Sequence, residues 1–181
     1  MFYKQSRIGL KGQRFTLYKI RTMVKDAEKN GPQFSCGNDP RITTIGKILR
    51  KLHIDELPQF INVIKGDMSL VGPRPERPEM IGFILDHVPD FCERTSVKPG
   101  LTGLSQINMN HCECVAFFKN KFEMDMYYIE NRTLFLDARI VFATFLKLFH
   151  IRGEWVNKLL FVDYNTLKKN TIEIKKCCDT M

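Results

Sequence analysis

The sequence "HIDELPQFINVIKGDMSLVGPRPERPE", residues 53–79, holds the features on which both the fold and the function depend. Two adjacent acids, Asp55 and Glu56, precede a proline, and a basic, proline-bounded run around Arg74 follows them. Acids at the start of a helix complement the helix dipole, which is one explanation of the pair. The other is phosphoryl chemistry, in which one carboxylate attacks phosphorus while nearby cations neutralise phosphate oxygens. Such chemistry favours Mg²⁺ as the cofactor, because a carboxylate and substrate phosphates can hold it together.

The spacing of apolar residues predicts two helices in this region. The first runs through "DPRITTIGKILRKL", with Asp39 as its N-cap and Pro40 at its first helical position. The second runs through "DELPQFINVIKG", where Pro58 fits only in the first turn and Gly66 ends the helix. The apolar residues at helical spacing are Ile42, Ile45, Ile48, Leu49 and Leu52 in the first, and Phe60, Ile61, Val63 and Ile64 in the second.

The opposite face of the first helix is basic. It carries Arg41, Lys47, Arg50 and Lys51. One interpretation is a solvated surface, and the other is a face toward anionic headgroups or a substrate phosphate. The residues favour neither interpretation over the other.

The remaining segments before residue 110 predict one strand-like run, one polar loop and one turn that leads into a short strand or loop. A β-like run extends from Phe15 to Ile20, and residues 25–40 are polar with many turn residues, which is typical of a mobile loop. Residues 97–108 begin with turn chemistry and continue as a short strand or loop.

The C-terminal half of the chain is predicted to be mainly helical. The run "RPEMIGFILDHV" indicates a helix with Pro78 in its first turn, and residues 116–131 indicate another. Residues 133–149 are apolar but contain three charged side chains, so they predict a core or interfacial helix rather than a membrane-spanning one.

The composition indicates one globular domain with a basic surface. A length of 181 residues, with 44% hydrophobic and 27% charged residues, favours a folded domain over disorder. The formal net charge of +8 favours an anionic partner: nucleic acid, anionic lipid or a phosphorylated substrate. A merely soluble basic surface is the alternative. The six cysteines and four histidines lack the spacing of zinc ligands, so reduced thiols in the cytosol are expected.

Several blocks of the sequence together resemble one family. The block "DPRITTIGKILRKLHIDELPQFINVIKGDMSLVGPRPE", preceded by "YKIRTM" and followed by "VKPGLTGLSQIN", closely resembles the bacterial sugar transferase family, the monotopic phosphoglycosyl transferases. The segment "FEMDMYYIENRTLFLDARIVFATFLKLF" is similar to the C-terminal helices of that family. The resemblance implies a catalytic domain over residues 1–150 and a basic C-terminal tail over residues 151–181.

The family implies a fold class, a reaction and a location. The fold would be α/β of the α+β kind: a compact, mostly helical single domain with a small amount of strand and amphipathic interfacial helices. The reaction would transfer a sugar 1-phosphate from a UDP-sugar to polyprenyl (undecaprenyl) phosphate, with release of UMP. The enzyme would work at the membrane surface on the cytoplasmic face of the bacterial inner membrane. Its product would feed exopolysaccharide, lipopolysaccharide, capsule or glycoprotein synthesis.

The resemblance also assigns roles to residues by position. Asp55 would be the nucleophile that forms a covalent phosphosugar intermediate, and it would help to hold Mg²⁺. Glu56 would be its acid/base partner and would help the lipid phosphate to attack. The substrate-binding positions implied in the same way are Lys19, Arg21, Arg50, Pro73, Arg74 and Pro75.

Two departures from the family pattern lead to an alternative function. Family members normally begin with a re-entrant membrane helix, which this chain is expected to lack, and Asn110 stands where the family often has Arg. The alternative is a truncated, non-catalytic relative that acts as an interaction module or is a gene remnant. A nucleic-acid-binding domain is disfavoured, because the basic residues are dispersed and no recognised binding module occurs.

Overall fold

The computed structural model describes residues 2–29, 31, 39–109 and 115–148. The fold is α+β, mostly helical with two small two-stranded sheets, so the fold class expected from the sequence is confirmed. The tail predicted over residues 151–181 and the departure at Asn110 lie outside the described residues. The helices and strands in chain order are β1 (Phe2–Ile8), β2 (Arg14–Ile20), α1 (Thr44–Lys51), α2 (Phe60–Lys65), β3 (Ser69–Val71), α3 (Pro78–Leu85), β4 (Gly100–Thr102), α4 (Leu104–Asn108), α5 (Val115–Asn131) and α6 (Leu134–Leu148).

The N-terminal hairpin presents a lysine toward the centre of the molecule. Strands β1 and β2 pair antiparallel, with Tyr3 opposite Lys19. The turn between them is a short 3₁₀ segment, Leu10–Gly12, in which Lys11 has a positive φ of 53°. The strand predicted from Phe15 is confirmed by β2, and the aromatic and β-branched residues in this run suit a pleated, half-buried strand.

Helix α1 begins later than predicted. Its N-cap is Thr43, whose side chain accepts a hydrogen bond from the amide of Gly46 at 3.0 Å. The prediction of Asp39 as N-cap is wrong, because its carboxylate is held by the backbone amide and guanidinium of Arg41. A Cβ on Gly46 would overlap the carbonyl oxygen of Thr22, so α1 packs directly on the chain that leaves β2.

The single helix predicted over residues 55–66 is divided in two. A 3₁₀ helix spans Ile54–Gln59, and α2 follows it directly. Pro58 lies within the 3₁₀ helix rather than in a first α-helical turn; it has no N–H for an α-helical ladder, which a 3₁₀ segment tolerates better. Gly66 ends α2 in the left-handed region at φ 81°, as predicted.

A parallel strand pair forms around the proline-bounded loop. Strand β3 pairs with β4, and a crossover that includes α3 joins them. Helix α3 begins at Pro78, as predicted. In the region where a short strand or loop was expected, β4 is present and the short helix α4 follows it.

Two apolar clusters form the core and hold the long helices. Helices α5 and α6 confirm the helical predictions for the C-terminal half. No helix among the described residues has both the length and the apolar character needed to cross a bilayer. The buried members of the first cluster are Val71, Leu104, Ile107, Tyr128, Leu136, Ile140 and Ala143; those of the second are Ile84, Val88, Phe91 and Phe118.

The apolar residues of α1 and α2 are mostly exposed. Ile45 is 70% exposed, Ile48 57% and Ile64 86%, although each recurs at helical spacing with other apolar residues. Their periodicity therefore marks a face that the described protein does not cover. The exposed large apolar residues of α1, α2 and the segment between them, called the α1–α2 apolar set below, are Ile45, Ile48, Leu52, Leu57, Phe60, Ile61 and Ile64.

The close approach of β3 and β4 requires a glycine at position 100, which a substitution can test. A Cβ on Gly100 would overlap the backbone nitrogen of Gly72, so Gly100→Ala must push the two segments apart. We expect it to lower the free energy of unfolding by about 2 kcal/mol, measured by urea denaturation. Gly82→Ala, in the exposed face of α3 with open space around it, is the matched control and should be neutral or slightly stabilising. Equal stability of the two variants would contradict this packing.

Candidate active site

The Glu56 carboxylate lies between two cations from distant parts of the chain. Lys19 of β2 places its Nζ 3.0 Å from Glu56 Oε1. Arg74 donates from Nη2 to the same oxygen at 2.5 Å, and its Nη1 lies 3.5 Å from Oε2. The hairpin, the 3₁₀ helix and the proline-bounded loop therefore meet at one carboxylate.

A buried asparagine fixes the 3₁₀ helix and α2 against the hairpin. The side-chain oxygen of Asn62 accepts from the amide of Tyr18 at 3.2 Å, and its nitrogen donates to the carbonyl of Thr16 at 2.7 Å. Asn62 is fully buried, so these bonds replace the missing strand partner on the outer edge of β2. This docking sets Glu56 opposite Lys19.

Asp55 is buried beside this ion pair but is not part of it. Its exposed fraction is 7%. Among the described residues, no hydrogen bond or ion pair involves its carboxylate. Nearby positive charge comes from Lys19 and from Arg50, whose Nε donates to Thr22 Oγ1 at 2.9 Å. Asp55 is therefore a carboxylate with nearby positive charge but without a partner among the described residues.

The two adjacent acids have opposite pKa shifts. Burial raises the pKa of Asp55, and the charge of Glu56 adds to this, while Lys19 and Arg50 oppose it. Burial also acts to raise the pKa of Glu56, but Arg74 and Lys19 outweigh it and hold that pKa well below its usual range. Burial lowers the pKa of Lys19 to about 8, despite the Glu56 charge. Environments that push paired acids apart in pKa are typical of catalytic sites.

The residues present fit a metal ion that arrives with its substrate. Within the described part of the chain, no group of three or more His, Cys, Asp or Glu side chains is arranged to hold a metal. Mg²⁺ commonly uses only one or two carboxylates and takes its remaining oxygens from water and substrate phosphates. Asp55 has no partner within the described residues and can supply one such oxygen, whereas Glu56 is occupied by Lys19 and Arg74.

The sequence matches one protein family over most of its length. The model of the family described as bacterial sugar transferase matches residues 1–151. The chain belongs to the bacterial sugar transferase family. Within this family, an undecaprenyl-phosphate N-acetylgalactosaminephosphotransferase of Aeromonas hydrophila that is named for UDP-N-acetylgalactosamine is 42% identical over 144 residues. That match covers 80% of this chain and 34% of the relative.

Two further members of the family are similar to the chain. The uncharacterized sugar transferase EpsL of Bacillus subtilis is 42% identical over 157 residues, which cover 84% of this chain and 72% of the relative. A UDP-glucose:undecaprenyl-phosphate glucose-1-phosphate transferase of Caulobacter vibrioides is 38% identical over 146 residues, or 78% of this chain and 54% of the relative. The chain thus spans about a third of the Aeromonas relative and about half of the Caulobacter relative.

In this member of the family, the structure brings together most of the residues predicted as a site. Lys19 and Arg74 contact Glu56, Asp55 lies beside this ion pair, and Arg50 lies close enough to affect the pKa of Asp55. Their predicted catalytic and substrate-binding roles remain predictions.

The other predicted substrate-binding residues have different surroundings. Arg21 lies 5.3 Å from the ring centre of Tyr3, and within the described residues it makes no ion pair with either acid of the site. Pro73 and Pro75 flank Arg74, and their carbonyls accept hydrogen bonds from Gly100 and Arg7, respectively. The prolines therefore contribute by fixing the loop that carries Arg74.

Sequence reasoning missed Asn62 and Thr22, which connect α2 and Arg50 to the hairpin. Asn62 stands within an apolar run where a polar residue interrupts the stripe, and this interruption was an available signal. Thr22 sits in "YKIRTM" with no pattern that distinguishes it, so its role depends on a contact between residues 28 positions apart.

The Glu56 cluster predicts a pH-dependent contribution to stability. Glu56→Gln leaves Lys19 and Arg74 as partly buried cations without their anion, so we expect a loss of about 3 kcal/mol in the free energy of unfolding at pH 7. Because the folded-state pKa of Glu56 is depressed, this difference between wild type and variant should be full above about pH 4.5 and shrink as the pH falls below it.

Urea denaturation of both proteins between pH 7 and pH 3 measures this difference. The control is Glu79→Gln on α3, which removes an exposed carboxylate whose contact with Arg77 is 3.5 Å, and it should cost less than about 1 kcal/mol. A Glu56→Gln difference that is constant over this pH range would contradict the low pKa.

Proposed function

We propose that the protein is a phosphoglycosyl transferase that moves a sugar 1-phosphate from a UDP-sugar to undecaprenyl phosphate and releases UMP. One observation carries the proposal: within the described residues the buried Asp55 carboxylate has no hydrogen-bond or ion-pair partner, and its chain neighbour Glu56 holds the two cations Lys19 and Arg74 beside it. Two of the relatives described above are named for a UDP-sugar and undecaprenyl phosphate, which supports this choice of donor and acceptor.

The reaction proceeds in two displacements at one phosphorus atom. A carboxylate oxygen of Asp55 attacks the phosphorus that carries the sugar, and the bond from that phosphorus to the bridging oxygen breaks. UMP leaves with the bonding electrons, and an acyl phosphate joins Asp55 to the sugar phosphate. A phosphate oxygen of the lipid then attacks the same phosphorus and releases the Asp55 carboxylate, which yields the sugar-linked lipid diphosphate.

The cations stabilise the charge that develops during both displacements. Lys19, Arg50 and Arg74 lie beside the two acids and meet the diphosphate oxygens of the donor. Asp55 and the donor phosphates would hold Mg²⁺, which would supply further neutralisation of the charge on the leaving group. Burial of the site strengthens each of these interactions relative to bulk water.

Glu56 orients the two cations before substrate binds. Its low pKa keeps it ionised while Arg74 and Lys19 are bound to it, so in this arrangement it is a poor proton carrier. Its acid/base role toward the lipid phosphate requires donor phosphates to draw these cations away first. That exchange couples donor binding to the basicity of Glu56.

The covalent step is tested by isotope exchange without the lipid acceptor. Wild-type protein with Mg²⁺ should exchange labelled UMP into a UDP-sugar, because forming and reversing the acyl phosphate needs no acceptor. Asp55→Asn should reduce this exchange by about 1,000-fold or more, since the amide cannot act as the nucleophile. Asp86→Asn, an exposed carboxylate at the end of α3, should leave it unchanged.

A panel of UDP-sugars is needed, and UMP release with detergent-solubilised undecaprenyl phosphate is measured in parallel. Exchange that persists in Asp55→Asn would remove Asp55 as the nucleophile. If wild type catalyses neither exchange nor UMP release with any sugar, the result favours the alternative of a non-catalytic relative.

We further propose that the site faces the cytoplasmic surface of the inner membrane. There it would reach the phosphate group of the lipid acceptor. The α1–α2 apolar set flanks the acids along the chain, and Leu57 directly follows Glu56. The basic residues of α1 lie on the same helix as the exposed Ile45 and Ile48, which together suit an interface with anionic headgroups.

Membrane contact through α1 is tested by vesicle co-sedimentation. The double variant Ile45→Gln and Ile48→Gln should reduce binding to vesicles of phosphatidylethanolamine and phosphatidylglycerol by about tenfold, because two exposed apolar side chains would no longer enter the interface. Phe83→Gln, a residue of α3 with 44% exposure, is the matched control and should bind as wild type does. Equal loss in both proteins would contradict a specific role of α1.

A further inference from the structure

Every carbonyl of the loop that carries Arg74 is fixed by a donor from another part of the chain. The loop is residues 73–76, called the 73–76 loop. The amide of Gly100 donates to the carbonyl oxygen of Pro73 at 2.9 Å, and the amide of Ile8 donates to the backbone carbonyl oxygen of Glu76 at 2.9 Å. The two central carbonyls, of Arg74 and Pro75, receive guanidinium donors instead. Backbone amides thus hold the two end carbonyls of the loop, and arginine side chains hold the two central ones.

The guanidinium on the Arg74 carbonyl belongs to a buried cluster of charges. Arg94 donates from Nη2 to the carbonyl oxygen of Arg74 at 2.6 Å. The same nitrogen lies 2.7 Å from Asp125 Oδ2, and Nη1 lies 3.3 Å from Glu76 Oε1. Lys121 also pairs with Glu76. The cluster therefore connects the backbone and side chain of the 73–76 loop to helix α5.

The cluster joins two basic residues to two acidic ones and is largely buried. Arg94 and Asp125 are 5% and 0% exposed, and Ser105 donates to Asp125 at 2.8 Å. Lys121 and Arg94 overcome the effect of burial and lower the pKa of Glu76 to about 2. A buried ion cluster is a weak source of stability, because desolvation offsets the attraction between the charges. Its effect is to define geometry, and the geometry it defines is that of the Arg74 backbone.

We propose that Arg94 and Asp125 are positioning residues for the active site: Asp125 holds the Arg94 guanidinium, which fixes the carbonyl of Arg74 and so directs the Arg74 side chain to Glu56. The chain of contacts runs from Asp125 through Arg94 and Arg74 to Glu56, and each link is 2.5–2.7 Å long. Neither positioning residue contacts Glu56 in these links. The catalytic consequence rests on the proposed function, whereas the anchoring of the loop does not.

Hydrogen exchange tests the anchoring independently of any reaction. The amides of Ile8 and Gly100 are the reporters, because each donates to a carbonyl of the 73–76 loop. In Asp125→Asn we expect both to exchange about tenfold faster than in wild type, since the loop loses its tether to α5. Asp39→Asn is the matched control: it also converts a buried aspartate paired with an arginine, and it should leave both amides unchanged. Unchanged exchange in Asp125→Asn would overturn the proposal.

A double-mutant cycle tests whether the effect on turnover passes through Arg74. Asp125→Asn alone should lower UMP release by about tenfold per folded molecule, and in an Arg74→Ala background it should cause less than about a twofold further loss. Arg94→Lys, which keeps the charge, should retain more activity than Arg94→Gln. A full additional loss in the Arg74→Ala background would show that the pair acts elsewhere and would overturn the positioning role.

The two experiments separate failure of this proposal from failure of the proposed function. Absence of UMP release from wild type with every UDP-sugar would count against the transferase, while the exchange of Ile8 and Gly100 would still decide whether Asp125 anchors the loop. Normal UMP release in wild type with additive losses in the cycle would retain the transferase and reject the positioning pair.

Discussion

The site depends on one carboxylate held by two cations. Glu56 binds Lys19 of the hairpin and Arg74 of the 73–76 loop, and so joins three segments that are far apart in the chain. Each partner is partly buried, so solvent screens these pairs less than it screens pairs on the surface. Among the described residues, both cations pair with Glu56 and neither pairs with Asp55. The reactivity proposed for Asp55 is therefore a consequence of how completely Glu56 is satisfied.

Local signals in the sequence predicted the secondary structure where local physics decides it. Pro78 begins α3 and Gly66 ends α2, since a fixed φ and a left-handed conformation are properties of those residues alone. The start of α1 was missed, because both Asp39 and Thr43 can cap a helix and the choice depends on Arg41. The division of the predicted helix into a 3₁₀ helix and α2 was missed. Pro58 lacks the N–H for one α-helical hydrogen bond, but its ring is compatible with a 3₁₀ helix.

The sequence was enough to predict which residues form the candidate site, but not which residues hold them in place. Through the family resemblance, the blocks around Asp55 and Arg74 predict which groups react. The cluster of Arg94, Lys121 and Asp125 joins residues that have no pattern along the chain, since an ion pair between distant positions leaves no local signature. The exposed isoleucines of α1 show a related limit: periodicity predicts an apolar face but not what covers it.

The parallel pairing of β3 and β4 has a consequence for how the chain folds. Ser69 pairs with Gly100, so the loop with Arg74 is enclosed by a contact between residues about thirty positions apart. Such non-local contacts form late, because the entropy of closing the loop is lost before the contact contributes. The hairpin of β1 and β2 is local and can form early. A nascent chain would thus have Lys19 in place before Arg74, and the paired carboxylate would be completed only in the final, fully closed molecule.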